Sequence, residues 1–210
     1  MLRSERIAKK INKKIQLWSK NQTKLIVAID GYAGAGKTTV TDYLAKQNHN
    51  VLPVHLDDFI KHWKDRKKIL DTAKNKSRIF ECRWFRYDDL EKLLNAFKTK
   101  NKGVIKFRTY NYNKNNFGPQ KSFDLSKKIL MIDGIFLFNP KRKIFKLLDK
   151  TIYLNVDFAK ADKKRIAREK KKWGKNYIPE NHPDNWTKYY KKAYRGYVKK
   201  QKPQNSDLVF

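Results

Sequence analysis

"KLIVAIDGYAGAGKTTV", residues 24–40, decides the fold. Leu25 to Ile29 is an apolar run of strand length, and Val40, Leu44 and Ala45 behind it share one face of a helix. Between them Gly31, Gly36, Lys37 and Thr38 satisfy G-x-x-x-x-G-K-[ST]. In that setting glycines let the backbone curl so that successive N–H groups face phosphate oxygens, and the helix N-terminus adds partial positive charge. Gly31, Ala33, Gly34, Ala35, Gly36, Lys37, Thr38 and Thr39 are therefore the expected ATP contacts. Lys37 is expected to bridge the β- and γ-phosphates, and the Thr38 hydroxyl to hold Mg²⁺. The bland alternative is a Gly-rich turn that binds nothing, but strand, loop, Lys-Thr-Thr and helix stand in the required order. The loop does not say where the last phosphate goes.

Outward from the loop, strands and helices alternate. "NVLPVHL", "GVIKFRTYNY", "KILMIDG", "TIYLNVD" and the closing "SDLVF" read as strands. Helical spacing marks Ile7, Ile11, Ile15 and Trp18 near the start, and Leu90, Leu93, Leu94 and Phe97 in "YDDLEKLLNAFKTK". "RKIFKLLDK", "AKADKKRIAREKKKW" and "HPDNWTKYYKKAYRGYVKK" are further helices, and the polar "NKNNFGPQ" reads as a loop. Residues 60–83 carry no clear pattern. The expected fold is α/β with three layers, a P-loop NTPase fold whose mainly parallel central sheet is flanked by helices. One domain over residues 1–210 is expected, with an N-terminal amphipathic helix over 1–20 and a mobile helical lid over about 158–178.

Three further segments carry chemistry. In "VHLDDF", Asp57 and Asp58 follow a buried strand, at the carboxyl edge where such sheets bind ligands. One of them can take the proton of an attacking hydroxyl and the other can cap the next helix. In "ILMIDG", Asp133 ends another strand and can hold Mg²⁺ with Thr38, or simply begin a turn. In the basic helix, Arg165 and Arg168 stand three apart on one face and could neutralise phosphate charge. Arginine is scarce beside lysine here, which sets the pair apart from a solvated basic face. Tyr110 and Tyr112 can flank an acceptor or fill the core, and Phe85 with Trp84 can line the same pocket or pack beneath it.

Composition narrows the partners. Lys and Arg number 51 against 20 Asp and Glu, a formal +31 that would attract nucleic acid nonspecifically. The lysines occur in nearly every segment rather than in one stripe, which fits compositional bias. No run is long and apolar enough to suggest a membrane span. A single cysteine, Cys82, allows no internal disulfide; it fits a reducing cytoplasm and is expected to be a packing residue.

"GYAGAGKTT", "HLDDF", "TYNY", "IDGIF" and "KRIARE" follow one another in the order seen in the uridine kinase and phosphoribulokinase family, which this chain resembles from Lys24 onward. The resemblance implies an ATP- and Mg²⁺-dependent kinase acting on a small alcohol, most simply the 5′-hydroxyl of uridine or cytidine. It implies Asp57 as general base beside the acceptor, Arg165 and Arg168 as lid residues, and Tyr110-Asn111-Tyr112 as the element that contacts the nucleoside; Phe85 is a further acceptor-side candidate from its place in the chain alone. Asn111 stands in place of the family's acid in its tyrosine element, Asn115 near the family's His, and Asp133 in place of its Glu. The other readings are a nucleic-acid-associated NTPase or polynucleotide 5′-kinase, a kinase for another small alcohol, and a P-loop protein that only binds.

Overall fold

Strand β1 (Leu25–Gly31) is buried along its whole length, and its alternation divides the interior into two layers. Leu25, Val27 and Ile29 meet Ile7, Ala8, Ile11 and Ile15 of helix α1 (Arg3–Trp18), with Val40 and Leu44 of α2 (Lys37–Gln47). Ile26 and Ala28 belong to the opposite core. There they join Leu90, Leu93, Leu94 and Phe97 of α5 (Tyr87–Thr99) and Tyr190, Tyr194 and Tyr197 of α8 (Thr187–Gln201). The computed structural model describes residues 3–111, 114–182 and 185–210.

Five parallel strands form the sheet in the order β2 (Val51–His55), β5 (Ile129–Gly134), β1, β6 (Lys150–Leu154) and β7 (Leu208–Val209). Covered on both faces, the central strands need no polar alternation, which is why "LIVAI" and "ILMI" are continuous apolar runs. This is the expected α/β architecture. Helix α5 forms where Leu90, Leu93, Leu94 and Phe97 make one apolar stripe and Asp88 and Asp89 face the positive end of the helix dipole. Helix α7 (Phe158–Trp173) starts at Asp157, whose side chain accepts from Lys160 N at 2.8 Å.

Some expectations are corrected. "NKNNFGPQ" is not simply a loop: β4 (Asn116–Asp124) begins inside it and pairs antiparallel with β3 (Val104–Asn111), outside the main sheet. Its polarity misled because only Phe123 of β4 is buried. Unpatterned residues 60–83 hold two helices, α3 (Trp63–Thr72) and α4 (Lys76–Cys82). Each buries too few residues to print a periodic stripe, Arg66 and Leu70 in one, Ile79 and Phe80 in the other. Cys82 ends α4 exposed, so it is not a packing residue. Helix α6 (Lys143–Lys146) is a single turn. The last long helix begins at Thr187, and Pro183 and Asp184 lie outside the described residues.

Asp30 ties the layers together at the carboxyl end of β1. It is fully buried, and its carboxylate accepts from Gly31 N (2.6 Å), Leu137 N (2.7 Å) and the Tyr197 hydroxyl (2.6 Å). Burial pushes this carboxyl up to about 6 in spite of those donors. Its folded-state pKa lies above the unfolded value, so ionising Asp30 costs stability as pH rises through about 6, and the three donors limit that cost.

Among the described residues no helix is long and apolar enough to cross a membrane. A cleft of about 470 Å³ is lined by residues including Asn12, Gln16, Asn50 and Lys128. It lies at the strands' amino ends, away from the phosphate loop. Tyr197 also accepts from Phe138 N at 2.9 Å. Tyr197→Phe should therefore destabilise the protein by ~1–3 kcal/mol, the cost of leaving buried polar groups unpaired, as read from denaturant unfolding.

Candidate active site

Two glycines shape the loop between β1 and α2. Gly34 has φ 86° and Gly36 φ 88°, a region that L side chains enter only with strain. A Cβ at position 34 would also lie 2.7 Å from the Ala161 carbonyl oxygen of α7, so this position excludes larger residues twice over. Ala33 N donates to the Tyr190 hydroxyl at 2.9 Å, and the Tyr32 ring packs on Phe158 (centroids 4.8 Å) and Tyr190 (5.4 Å). The loop is thus braced by α7 and α8 before any ligand arrives. Ala35 N closes the turn onto Tyr32 O at 3.1 Å, while Thr38 and Thr39 lie exposed in the first turn of α2.

Lys37 is buried, and its Nζ donates to the carbonyl oxygens of Gly31 (2.8 Å) and Tyr32 (3.0 Å). Burial lowers its pKa, opposed by the nearby carboxylates of Asp30, Asp133 and Asp57.

Thr38 Oγ1 donates to Asp133 Oδ1 at 2.9 Å, so the two residues read as a metal pair do meet at the mouth of the loop. A hydroxyl and a carboxylate are hard oxygen donors of the kind Mg²⁺ takes when phosphates complete its shell, and the pair fits that ion. Among the described residues no cluster of three or more His, Cys, Asp or Glu forms a cage for another metal. The other Asp133 oxygen faces His55 Nδ1 at 2.6 Å, and His55 Nε2 lies 3.3 Å from Asp42 Oδ1. Burial works against charge on His55, but the hydrogen bond and charge of Asp133 outweigh it and raise the imidazole pKa. The sequence reading passed over His55, although it stands in the quoted "VHLDDF".

The two acids after β2 part company. Asp58 pairs with Lys121 of β4 at 2.8 Å, and its carbonyl accepts from Arg86 Nη2 at 3.1 Å. It caps no helix, contrary to the expectation that one acid of the pair would: the 3₁₀ turn Leu56–Phe59 has no side-chain cap, and α3 is capped by His62. Among the described residues the Asp57 carboxylate has no hydrogen bond or ion pair. Its side chain is open to solvent by area, yet protein crowds it closely enough that loss of solvation raises its pKa. Lys37 opposes the rise and the negative charges of Asp133 and Asp58 add to it, which puts all four groups in one electrostatic neighbourhood.

The two arginines of α7 also separate. Arg165 is buried and ion-paired with Asp162 (3.2 Å), Glu169 (2.9 Å) and Glu180. Lys191 of α8 joins Asp162 (2.9 Å) and Glu180 (2.7 Å) to this network, and the Tyr32 hydroxyl donates to Asp162 at 3.0 Å. Arg168 is exposed, and its positive charge is felt at Lys37. Three residues apart, the two guanidinium groups have different surroundings.

Of the residues expected on the acceptor side, Tyr110 is buried; its hydroxyl accepts from Arg66 Nη2 at 2.5 Å and donates to Asn115 Oδ1. The Arg66 guanidinium lies between the Trp84 and Tyr110 rings, 4.9 and 4.8 Å from their centroids. Phe85 is in the core, 2% exposed, and its backbone bridges to Ile60 beside Asp57. Tyr112, the other aromatic expected here, lies outside the described residues.

The chain is similar to known proteins. The signature of the Phosphoribulokinase / Uridine kinase family matches residues 26–210. The uridine kinase of Staphylococcus haemolyticus is 24% identical over 153 residues, which cover 72% of this chain and 71% of that protein. Uridine kinase-like protein 3 of Arabidopsis thaliana is 23% identical over 180 residues, 82% of this chain but 36% of the plant protein, so the chain spans about a third of that relative. A solved structure described as a possible uridine kinase from Bacillus stearothermophilus superposes with a TM-score of 0.70 at 21% identity, covering 97% of this chain and 96% of its own. With its phosphate loop, its Thr38–Asp133 pair and a family match over most of its length, the chain belongs to the phosphoribulokinase / uridine kinase family of P-loop kinases.

Proposed function

We propose that this chain, working as one kinase domain with α7 and the segment after it as a lid, moves the γ-phosphate of ATP to a hydroxyl of a small alcohol. The acceptor we assign is a pyrimidine nucleoside, through its 5′-hydroxyl. One observation carries the reading: the Asp57 carboxylate shares a charge environment with Lys37 and Asp133, yet no hydrogen bond or ion pair among the described residues occupies it. A general base must be free to receive a proton, and a raised proton affinity suits it to work closer to neutral pH. The uridine kinase relatives and the aromatic acceptor side support the nucleoside.

Asp57 takes the proton of the hydroxyl as its oxygen meets the γ-phosphorus. Lys37 exchanges its two carbonyl partners for phosphate oxygens, and Arg168 closes over the same phosphates to balance charge spreading in the transition state. Thr38 and Asp133 would hold Mg²⁺, which when bound would shield phosphate charge. Lid closure excludes water and so limits hydrolysis. A cleft of about 400 Å³ lined by Tyr153, Asn155, Val156, Phe158, Val198 and Gln204 adjoins the loop through Phe158, and offers the nucleotide base a partly apolar seat.

Asp57→Asn should lower kcat by ~10²–10⁴-fold, the range of general-base contributions, with ATP affinity by calorimetry little changed; loss of both together would make Asp57 structural. In the wild type, kcat/KM should fall as acid protonates Asp57, with a limb above the ~4 of an ordinary aspartate. Arg168→Ala should depress kcat without altering thermal stability. Arg165→Ala should instead destabilise the fold by ~1–3 kcal/mol, since it takes the buried guanidinium from Glu169 and leaves Asp162 and Glu180 to Lys191. In a screen of ATP consumption against nucleosides, vitamins, sugars and short oligonucleotides, uridine or cytidine should give the largest stimulation. Stimulation by oligonucleotides alone would overturn the small-molecule assignment.

A further inference from the structure

We propose that His55 is a positioning residue for the metal-holding carboxylate, and that Asp42, His55, Asp133 and Thr38 form one relay setting the protein's hold on the divalent ion. The inference rests on the reading of Thr38 and Asp133 as the metal pair. His55 is the last residue of β2 and the direct register partner of Asp133 in β5, so the two side chains leave neighbouring strands on the same face of the sheet. Nδ1 of His55 lies 2.6 Å from Asp133 Oδ2, while Thr38 Oγ1 holds the other oxygen from 2.9 Å. Asp133 can therefore turn about neither side-chain torsion without breaking a hydrogen bond.

The imidazole is fixed from behind. Its Nε2 lies 3.3 Å from Asp42 Oδ1, and Asp42 stands four residues after Thr38, on the same face of α2. One helix thus reaches Asp133 twice, directly through Thr38 and indirectly through Asp42 and His55. Phosphate loop, metal carboxylate and the strand leading to Asp57 become one rigid unit, in which a shift of α2 is transmitted to both oxygens of Asp133. A partner of this kind governs how well a first-sphere carboxylate is aimed, and its loss shows in metal affinity before nucleotide affinity.

The test uses the full chain with Mn²⁺ as probe and ADP present, counting free Mn²⁺ by electron paramagnetic resonance. His55→Ala should weaken Mn²⁺ binding by ~10–100-fold, the usual cost of removing such a partner, with ADP binding in EDTA unchanged. His55→Asn keeps an N–H near the Nδ1 position and should recover most of the affinity. Asp42→Ala, at a half-exposed position where folding is not at risk, should give a smaller loss of the same kind. Wild-type Mn²⁺ affinity in Asp42→Ala or in folded His55→Ala, or a loss in His55→Asn as large as that in His55→Ala, would overturn the relay and leave His55 a structural cross-link. A wild-type protein that binds no Mn²⁺–ADP at all would overturn the nucleotide reading itself, and this inference with it.

Discussion

Asp30 is the point from which the active site hangs. Its carboxylate sits at the end of β1, where the phosphate loop departs, and takes hydrogen bonds from the loop's first residue, from Leu137 beyond β5 and from Tyr197 of α8. Those three donors come from the segment that carries Lys37, the segment that carries Asp133 and the helix that braces Ala33 through Tyr190. A buried carboxylate that lost any of them would face an apolar interior uncompensated. Sheet, loop and α8 are therefore held to one geometry by one side chain, and the ion-pair network around Arg165 is attached to the same helix through Lys191.

Charge is distributed unevenly. The net +31 belongs to the surface: of the lysines, only Lys24 and Lys37 are buried. Lys24 is spent on the carbonyls of Leu125 and Lys127, and Lys37 faces the phosphate site. Carboxylates gather where the chemistry is, with Asp57, Asp58, Asp133 and Asp42 all within reach of Lys37, His55 or Lys121. Asp58 is neutralised by Lys121, Asp133 is engaged by Thr38 and His55, and Asp57 keeps its lone pairs open. That division of labour among neighbouring acids, rather than the overall charge, is what the proposed reaction uses.

Legibility followed burial. The strands around the loop were plain because both faces are covered, and α5 because four residues make its stripe. The hairpin β3–β4 stands outside the main sheet, so much of its sequence is polar and "NKNNFGPQ" resembled a loop. Helices α3 and α4 each bury two residues, below what periodicity can reveal, and one of those is an arginine. The spacing of Arg165 and Arg168 could not separate them either. Their difference comes from Glu180, fifteen residues after the first, and from Lys191 on another helix.

From the chain alone came the α/β alternation, the phosphate loop and the candidate acids, because each is a local pattern whose physics acts within one turn or one strand. Only the tertiary structure decided which acids meet. β2 lies beside β5 in the sheet, and that neighbourhood sets His55 against Asp133 across 78 positions of sequence. No local propensity encodes such a register; it follows from how the two apolar layers close on the sheet. The same closure leaves the Asp57 carboxylate unengaged among the described residues, and pairs the acid next to it with a lysine from the hairpin.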